Sequence, residues 1–170
     1  MTSPLRIGVL GAARITPMAL LRPAKRVPEA AITAVAARDP ARAGAFAAKH
    51  GIPRVHDSYA ALLADPELDA VYNPLPNHLH VPWTIRAAEA GKHVLCEKPI
   101  ALTSADIERL IEVRERTGVL IQEAFMVRSH PRWLRVLDLV ESGRIGSLCA
   151  MVGFFSYFND DARDIRNNTD

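Results

Sequence analysis

The stretch His93–Pro99 (HVLCEKP) is a short apolar run that ends abruptly at a charged pair and a proline. A run of this length, bounded in this way, is typical of a buried strand. Where strands and helices alternate, the carboxyl ends of the strands face the ligand crevice, so Glu97 and Lys98 belong there. A lysine beside an acidic neighbour can donate to a substrate hydroxyl or carry a proton. On spacing alone, a surface ion pair in a loop explains the two residues equally well.

Other strand-like runs surround this stretch, and segments with helix start and stop signals lie between them. The runs are Leu5–Leu10, Ala31–Ala37, Arg54–His56, Leu68–Tyr72 and Val119–Gln122. Residues of the types that cap helices precede the helical segments: Thr16, Asp39, Ser58, Asn77 and Thr103 or Ser104. Parallel strands need such helical crossovers. The sequence therefore predicts an α/β fold, a doubly wound parallel Rossmann sheet.

The pattern changes after Glu123. His130–Ser142 is predicted to form an amphipathic helix, and Ser147–Phe158 to form one long apolar strand. We expect residues 1–124 to be a dinucleotide-binding Rossmann domain. Residues 125–170 are expected to be the first helix and strand of a truncated α+β domain for substrate binding and dimerisation, because the chain offers that strand no sheet partner.

The composition excludes several classes of function. Hydrophobic residues make up 49% and charged residues 24% of the 170 residues, with a net charge of +2. Nucleic-acid-binding proteins concentrate basic residues on one face, whereas here they are scattered. No apolar run approaches the ~18–20 residues that cross a bilayer, and the N-terminus lacks a signal-peptide pattern. Cys96 and Cys149 lie in apolar runs and are predicted to be buried, reduced thiols. We therefore expect a cytoplasmic protein without nucleic-acid or membrane partners.

The segment Gly11–Thr16 (GAARIT) lies between the first strand and the first helix. In this position, backbone N–H groups and the helix N-terminus can hold a pyrophosphate. Against the pattern G-x-G-x-x-G, Gly11 matches a glycine, while Ala13 and Thr16 replace the other two. The motif alone is also compatible with an ordinary tight turn. Its place at the first strand–helix turn of an alternating sheet favours a dinucleotide.

Arg38 follows the second strand, where NAD-binding sheets commonly carry an acidic residue for the ribose 2′-hydroxyl. An arginine there can pair with the 2′-phosphate of NADP. Asp39 could contact the ribose, but its position before Pro40 favours a role as helix N-cap. NADP is therefore predicted over NAD.

The histidines at positions 78, 80, 93 and 130 lack metal-ligand spacing. Two ligands on one helix face would lie at i and i+4, and no cysteine or carboxylate joins His78 and His80. We therefore predict no metal site.

Three ordered stretches resemble one family: GVLGAARI at 8–15, YNPLPNHLH at 72–80 and GKHVLCEKP at 91–99. They are similar to the Gfo/Idh/MocA oxidoreductases, in register across nearly the whole chain. Within that family, LPNHLHVPW at 75–83 and EAFMVR at 123–128 most resemble the NADP-dependent sugar dehydrogenases. That group includes D-xylose 1-dehydrogenase and the dimeric dihydrodiol dehydrogenases.

The resemblance implies roles for the matching residues. Those that would hold the pyrophosphate and the nicotinamide side are Gly11, Ala13, Arg14 and Ile15. Arg38 would meet the 2′-phosphate, and the groove from adenosine to nicotinamide would be lined by Leu75, Asn77 and His80. Glu97 and Lys98 would sit at the nicotinamide ribose, with Lys98 positioning the substrate hydroxyl and Arg128 close by. Pro99 is expected to form a cis peptide bond with Lys98.

The resemblance further implies hydride transfer between NADP and a sugar or related hydroxyl carbon, such as a pyranose C1. The substrate would be a small polyol or sugar, and the second-domain sheet would make a homo-oligomer. The family's proton-accepting Tyr or His comes from a region that follows position 170. The alternative is therefore an NADP-binding module without catalysis, or a truncated gene product.

Overall fold

Six parallel strands form one sheet in the computed structural model, which describes residues 3–160. The strands are β1 (Leu5–Leu10), β2 (Ala30–Ala36), β3 (Arg54–His56), β4 (Ala70–Asn73), β5 (His93–Cys96) and β6 (Ile121–Glu123). Their order across the sheet is β3-β2-β1-β4-β5-β6. This order and the parallel pairing confirm the predicted doubly wound Rossmann sheet.

Helices connect the successive strands. A π-helical turn, Pro17–Leu21, continues into α1 (Arg22–Ala24). The others are α2 (Pro40–His50), α3 (Tyr59–Leu63), α4 (Asn77–Glu89), α5 (Ser104–Thr117) and α6 (Pro131–Glu141). A 3-10 turn, Met126–Arg128, precedes α6. Among the described residues, no helix is both long enough and apolar enough to cross a membrane.

Side-chain caps begin three of these helices as predicted. Asp39 Oδ1 accepts from the amides of Ala41 and Arg42, at 2.9 and 3.4 Å. Ser58 and Thr103 cap α3 and α5 in the same way. These residues have extended backbone, which lets the side chain reach back to the free amides of the first turn.

Two predicted caps are wrong. Thr16 already has helical backbone angles, φ −53° and ψ −44°, and its side chain makes no capping hydrogen bond. The side chain of an N-cap residue reaches the amides because its backbone is not yet helical, so Thr16 cannot act as one. Asn77 is the first residue of α4, and Pro76, which has no side-chain acceptor, occupies the capping position.

Alternate residues along the strands pack on opposite faces of the sheet, as the two-residue period of a strand requires. On one face, Leu10, Ala36, Val71 and Val94 pack with Leu62 of α3 and Ala87 of α4. On the other, Val9, Val35 and Tyr72 pack with Leu21 of the π-helical turn and Ala47 of α2. Covering both faces buries the central strands, which explains their continuous apolar sequence.

The direction of the crossovers reverses between β1 and β4, which pair directly with Ile7 opposite Ala70 and Val9 opposite Tyr72. After β1 the chain crosses to β2 and β3, and after β4 it crosses to β5 and β6. A crevice opens at such a reversal, beyond the carboxyl ends of the strands. The loops that follow Leu10, Asn73 and Cys96 all leave the sheet at this edge.

The chain divides into two compact units between Met126 and Val127. In the second unit, α6 forms at the predicted place, capped by the side chain of His130. The strand predicted for Ser147–Phe158 is not formed in the described residues. A strand needs a neighbouring backbone for its hydrogen bonds, and apolar content alone does not supply one. Cys149 is consequently exposed rather than buried, whereas Cys96 is buried as predicted.

A bidentate ion pair joins the amino ends of β1 and β4. The Arg6 guanidinium donates to both carboxylate oxygens of Asp69, at 3.0 Å from Nε and 2.7 Å from Nη2, and the Arg6 amide adds a third bond at 2.8 Å. Hydrogen bonds from the Arg6 side chain are the main reason that the pKa of Asp69 falls from 3.8 to about 2. The charged form of Asp69 is therefore favoured in the folded protein.

We expect Asp69→Asn to lower the free energy of unfolding above about pH 4, and this deficit to disappear as the pH falls to about 2. A depressed folded-state pKa stabilises the protein above the unfolded pKa, and this stability is lost as pH falls through the folded value. Urea unfolding at a series of pH values measures the effect. Glu108→Gln, at an exposed carboxylate on α5, should show no such convergence; a deficit for Asp69→Asn that is equal at pH 6 and pH 2 contradicts the assignment.

Candidate cofactor and active site

The turn after β1 requires a glycine at its first residue. Gly11 has φ +92°, and a Cβ there would lie 3.0 Å from Leu75 Cδ2, in the loop after β4. Its amide donates to Ala36 O at 2.6 Å, which ties the turn to the end of β2. Gly11 is itself buried, and the missing side chain lets the turn pack closely against the loop after β4, the kind of tight turn that precedes a phosphate site. The half-buried Ala13 and the exposed Arg14 and Ile15 follow on the same turn.

Thr16 completes this turn with a buried hydroxyl. The residue is fully buried, and its Oγ1 has no hydrogen-bond partner among the described residues. A buried, unpaired hydroxyl costs about 1–3 kcal/mol. Pro17 has no amide hydrogen, and the amides of Met18 and Ala19 donate to Ile15 O at 3.1 and 2.9 Å. The Thr16 hydroxyl is therefore the unpaired polar group of this turn, and a hydroxyl can donate a hydrogen bond to a phosphate of a dinucleotide.

Two arginines follow the end of β2. Arg38 is exposed at the position predicted for a 2′-phosphate contact. Asp39, the alternative ribose contact, is engaged as the cap of α2. Arg42, in the first turn of α2, donates from Nη2 to Ala12 O at 2.9 Å and so lies over the Gly11 turn. Arg42 was not identified from the sequence as a site residue. Its place one helical turn after the Asp39 cap indicates that it lies near the end of β2.

The loop between β4 and α4 is shaped by a buried amide. Asn73 is fully buried, and its Oδ1 accepts from the Leu75 amide at 3.3 Å. Its Nδ2 donates to His80 O at 3.1 Å and to Thr84 Oγ1 at 3.2 Å. Leu75, within the loop, is buried, and Asn77, at the start of α4, is half-buried. The His80 ring lies inside the loop and is 1% exposed, rather than forming an open wall of the groove.

Glu97 and Lys98 lie at the carboxyl end of β5, as predicted. The Glu97 amide donates to Asn73 O at 3.0 Å, which holds this residue beside the end of β4. The Lys98 side chain is exposed, and the Lys98–Pro99 peptide bond is cis, as expected from the sequence. This turn lies at the carboxyl edge of the sheet, and the Glu97 carboxylate binds a buried residue.

That buried residue is Tyr72, whose hydroxyl donates to Glu97 Oε1 at 2.6 Å. Burial, together with the hydrogen bond to the Glu97 carboxylate, raises the pKa of Tyr72, so the phenol stays protonated and keeps donating. The second oxygen, Oε2, accepts from the Lys98 amide at 3.3 Å. Tyr72 was not identified from the sequence as a site residue, although it closes the predicted fourth strand.

Other candidate groups do not join this site. Burial raises the pKa of Cys96 to about 12, so it is a packing residue and not a nucleophile. Within residues 3–160, no three His, Cys, Asp or Glu side chains are grouped to hold a metal ion. Arg128 is exposed in the turn that spans the boundary of the two units. Its proximity to Lys98 stays a prediction.

Comparison with known proteins places this arrangement in a family. A family model described as "Oxidoreductase family, NAD-binding Rossmann fold" (GFO_IDH_MocA) matches residues 5–125. D-xylose 1-dehydrogenase (NADP(+)) 2 of Haloferax volcanii is 43% identical over 98% of this chain and 51% of its own length. A dTDP-3,4-didehydro-2,6-dideoxy-alpha-D-glucose 3-reductase of Saccharopolyspora spinosa is 41% identical over the whole chain and 51% of its length.

A solved 3-ketoreductase from Actinomadura kijaniata, in complex with NADP, has a similar structure. Its TM-score is 0.77 at 41% identity, over 85% of this chain and 46% of that one. The chain thus spans about half the length of the relatives it matches.

We expect Gly11→Ala to lower the free energy of unfolding by about 1–2 kcal/mol, because a side chain is strained at this positive φ. Gly44→Ala is the matched control: Gly44 lies inside α2 with no atom within 4 Å of an added Cβ. That change should stabilise the protein by about 0.5–1 kcal/mol, the usual gain inside a helix. Urea unfolding of both variants measures the difference, and equal effects would contradict the close approach at Gly11.

Proposed function

This chain belongs to the Gfo/Idh/MocA oxidoreductase family, and from that membership we propose that it is the cofactor-binding part of an NADP-dependent dehydrogenase or reductase. The observation that carries the proposal is the shared sheet edge: the Gly11 turn and the Lys98 turn both stand at the carboxyl ends of strands, on either side of the crossover reversal. Cofactor and catalytic lysine would meet there.

The turn after β1 and the end of β2 would hold the nucleotide part of NADP. Residues proposed for the pyrophosphate and nicotinamide side are Gly11, Ala13, Arg14 and Ile15. Arg38 is proposed to pair with the 2′-phosphate, because it is a cation at the end of β2 while Asp39 is used as a cap. Arg42 adds a second positive charge, held over the turn by Ala12.

The loops after β4 and β5 would hold the nicotinamide end. Leu75 and Asn77 are proposed to line the groove, with the buried His80 ring behind Leu75, and Glu97 and Lys98 would contact the nicotinamide ribose. NADP, when bound, supplies or accepts the hydride. Lys98 would donate a hydrogen bond to the substrate oxygen and help to polarise or deprotonate it. Arg128 is proposed to lie close to this oxygen.

The proposed substrate is a small sugar, polyol or sugar derivative. The relatives named above act on D-xylose and on a dTDP-linked keto sugar. Both reactions interconvert a hydroxyl-bearing and a carbonyl carbon of a sugar, so this chemistry is shared although the carbon differs. We propose the same chemistry here, with a pyranose C1 as the first carbon to test. A homo-oligomer formed through the second unit is also proposed, from the family resemblance of the sequence.

Arg38→Ala should raise the Kd for NADPH by about 10–100-fold and change the Kd for NADH by less than about threefold. A hydrogen bond to a charged group contributes about 1.5–3 kcal/mol, and NADH lacks the phosphate that would accept it. Arg42→Ala should act in the same direction, and Arg109→Ala on α5 is the control. Titration of cofactor fluorescence measures both constants. Equal losses for NADPH and NADH would remove Arg38 from the 2′-phosphate site.

Lys98→Met should lower kcat for sugar-dependent NADP reduction by about 10²–10⁴-fold, the usual contribution of a proton-transferring group. The melting temperature should be unchanged, since the Lys98 side chain is exposed. Lys49→Met on α2 serves as the control. The assay uses the protein encoded by the complete gene and a panel of pyranoses and keto sugars. Tight NADPH binding without turnover of any sugar would favour the alternative, a non-catalytic NADP-binding module.

A further inference from the structure

The turn that carries Lys98 is held by side chains from three other elements. Glu97 Oε1 accepts from Tyr72 of β4 at 2.6 Å. The Ile100 amide donates to Glu123 Oε1 of β6 at 2.9 Å. The Pro99 carbonyl lies 2.7 Å from His80 Nδ1 of α4. The main chain on both sides of Lys98 is therefore fixed from outside the turn.

His80 differs from the other two because its ring has a second partner. Its Nε2 lies 2.6 Å from Leu75 O, and the ring is 1% exposed. A carbonyl oxygen can only accept a hydrogen bond. Each ring nitrogen lies at hydrogen-bond distance from one carbonyl oxygen. One imidazole thus joins the loop after β4 to the turn after β5.

The loop at the other end of this connection touches the cofactor turn. Leu75 Cδ2 occupies the space 3.0 Å from where a Gly11 Cβ would be. The Leu75 side chain is therefore packed at the Gly11 turn, while the Leu75 carbonyl oxygen lies 2.6 Å from His80 Nε2. The His80 main chain is held in turn by Asn73 Nδ2, at 3.1 Å from its carbonyl oxygen. A continuous path of contacts runs from Gly11 through Leu75 and His80 to Pro99.

We propose that His80 is a positioning residue that couples occupancy of the Gly11 turn by the cofactor to the placement of the Lys98 ammonium. The inference rests on the proposed function, since it assumes that NADP binds at the turn and that Lys98 acts on the substrate. A displacement of about 1 Å in a reacting group can cost about 10²-fold in rate. His80 bridges two separate loops at the carboxyl edge of the sheet, the one after β4 and the one after β5, which packing alone does not require.

The first experiment compares His80→Leu, which removes both ring nitrogens, with His80→Gln, whose side-chain amide can still donate hydrogen bonds. We expect His80→Leu to lower kcat about 100-fold while the Kd for NADPH changes less than about threefold, and His80→Gln to recover at least about tenfold of that loss. His78→Gln, at an exposed position in the first turn of α4, should behave as wild type. A kcat for His80→Leu within about twofold of wild type overturns the coupling. The coupling is also overturned if His80→Leu lowers kcat and NADPH affinity by equal factors and His80→Gln restores neither, because that result describes a structural role.

The second experiment needs no turnover. In ¹⁵N-labelled wild-type protein, NADPH should shift the amide signals of Lys98 and Ile100, and in His80→Leu with NADPH bound these shifts should be lost. NADPH binding to the wild-type protein without a shift at Lys98 and Ile100 overturns the coupling. Wild-type protein that binds no NADPH overturns the proposed function, and the coupling with it. The two failures are therefore distinguishable.

Discussion

Parallel pairing of β1 with β4 is the constraint on which the arrangement of the candidate site depends. The crossovers that follow these two strands run in opposite directions across the sheet, so the loops leaving them diverge and a crevice opens between them. The Gly11 turn and the Leu75 loop meet at this point, where a Cβ on Gly11 would lie within 3.0 Å of Leu75. Gly11 is buried, and the absence of its side chain is what lets these two loops pack closely together.

Buried polar groups, rather than apolar packing, define the shape of the loops at this edge. Asn73 is fully buried and bonds to Leu75, His80 and Thr84, so its hydrogen-bonding capacity is used inside the protein. Removing one member would leave the others unsatisfied, which costs about 1–3 kcal/mol for each buried group. A satisfied network of this kind specifies one conformation. Thr16 Oγ1 is the exception among the described residues, and it lies at the turn assigned to the phosphates.

In the second unit, a pattern of apolar residues is not enough to form a strand. Its helix α6 forms because helical hydrogen bonds are made within the segment, and His130 caps its first turn. Phe154, Phe155 and Phe158 are 88–92% exposed, in a segment without regular structure. Their sequence has strand character, but a strand needs hydrogen bonds to another backbone. Local propensity is therefore sufficient for the helix and insufficient for the strand.

The six strands, their helical crossovers, the caps Asp39, Ser58 and Thr103, and the place of Lys98 at a strand end could all be predicted from the sequence. Each depends on a few neighbouring residues: an apolar run, a capping side chain, or the alternation that makes the sheet parallel. The cap predicted at Thr16 failed where the local conformation before Pro17 was already helical.

Three contacts depend on the fold and could not be predicted from the sequence: Tyr72 holds Glu97, Arg42 covers the Gly11 turn and His80 bridges two loops. These contacts join residues 5 to 30 positions apart, and strand register and helix packing bring them together. The order of the elements and the strand ends that carry chemistry follow from local features of the sequence. The side chains that hold the Lys98 turn in place do not, because the fold selects hydrogen-bond partners that are distant along the chain.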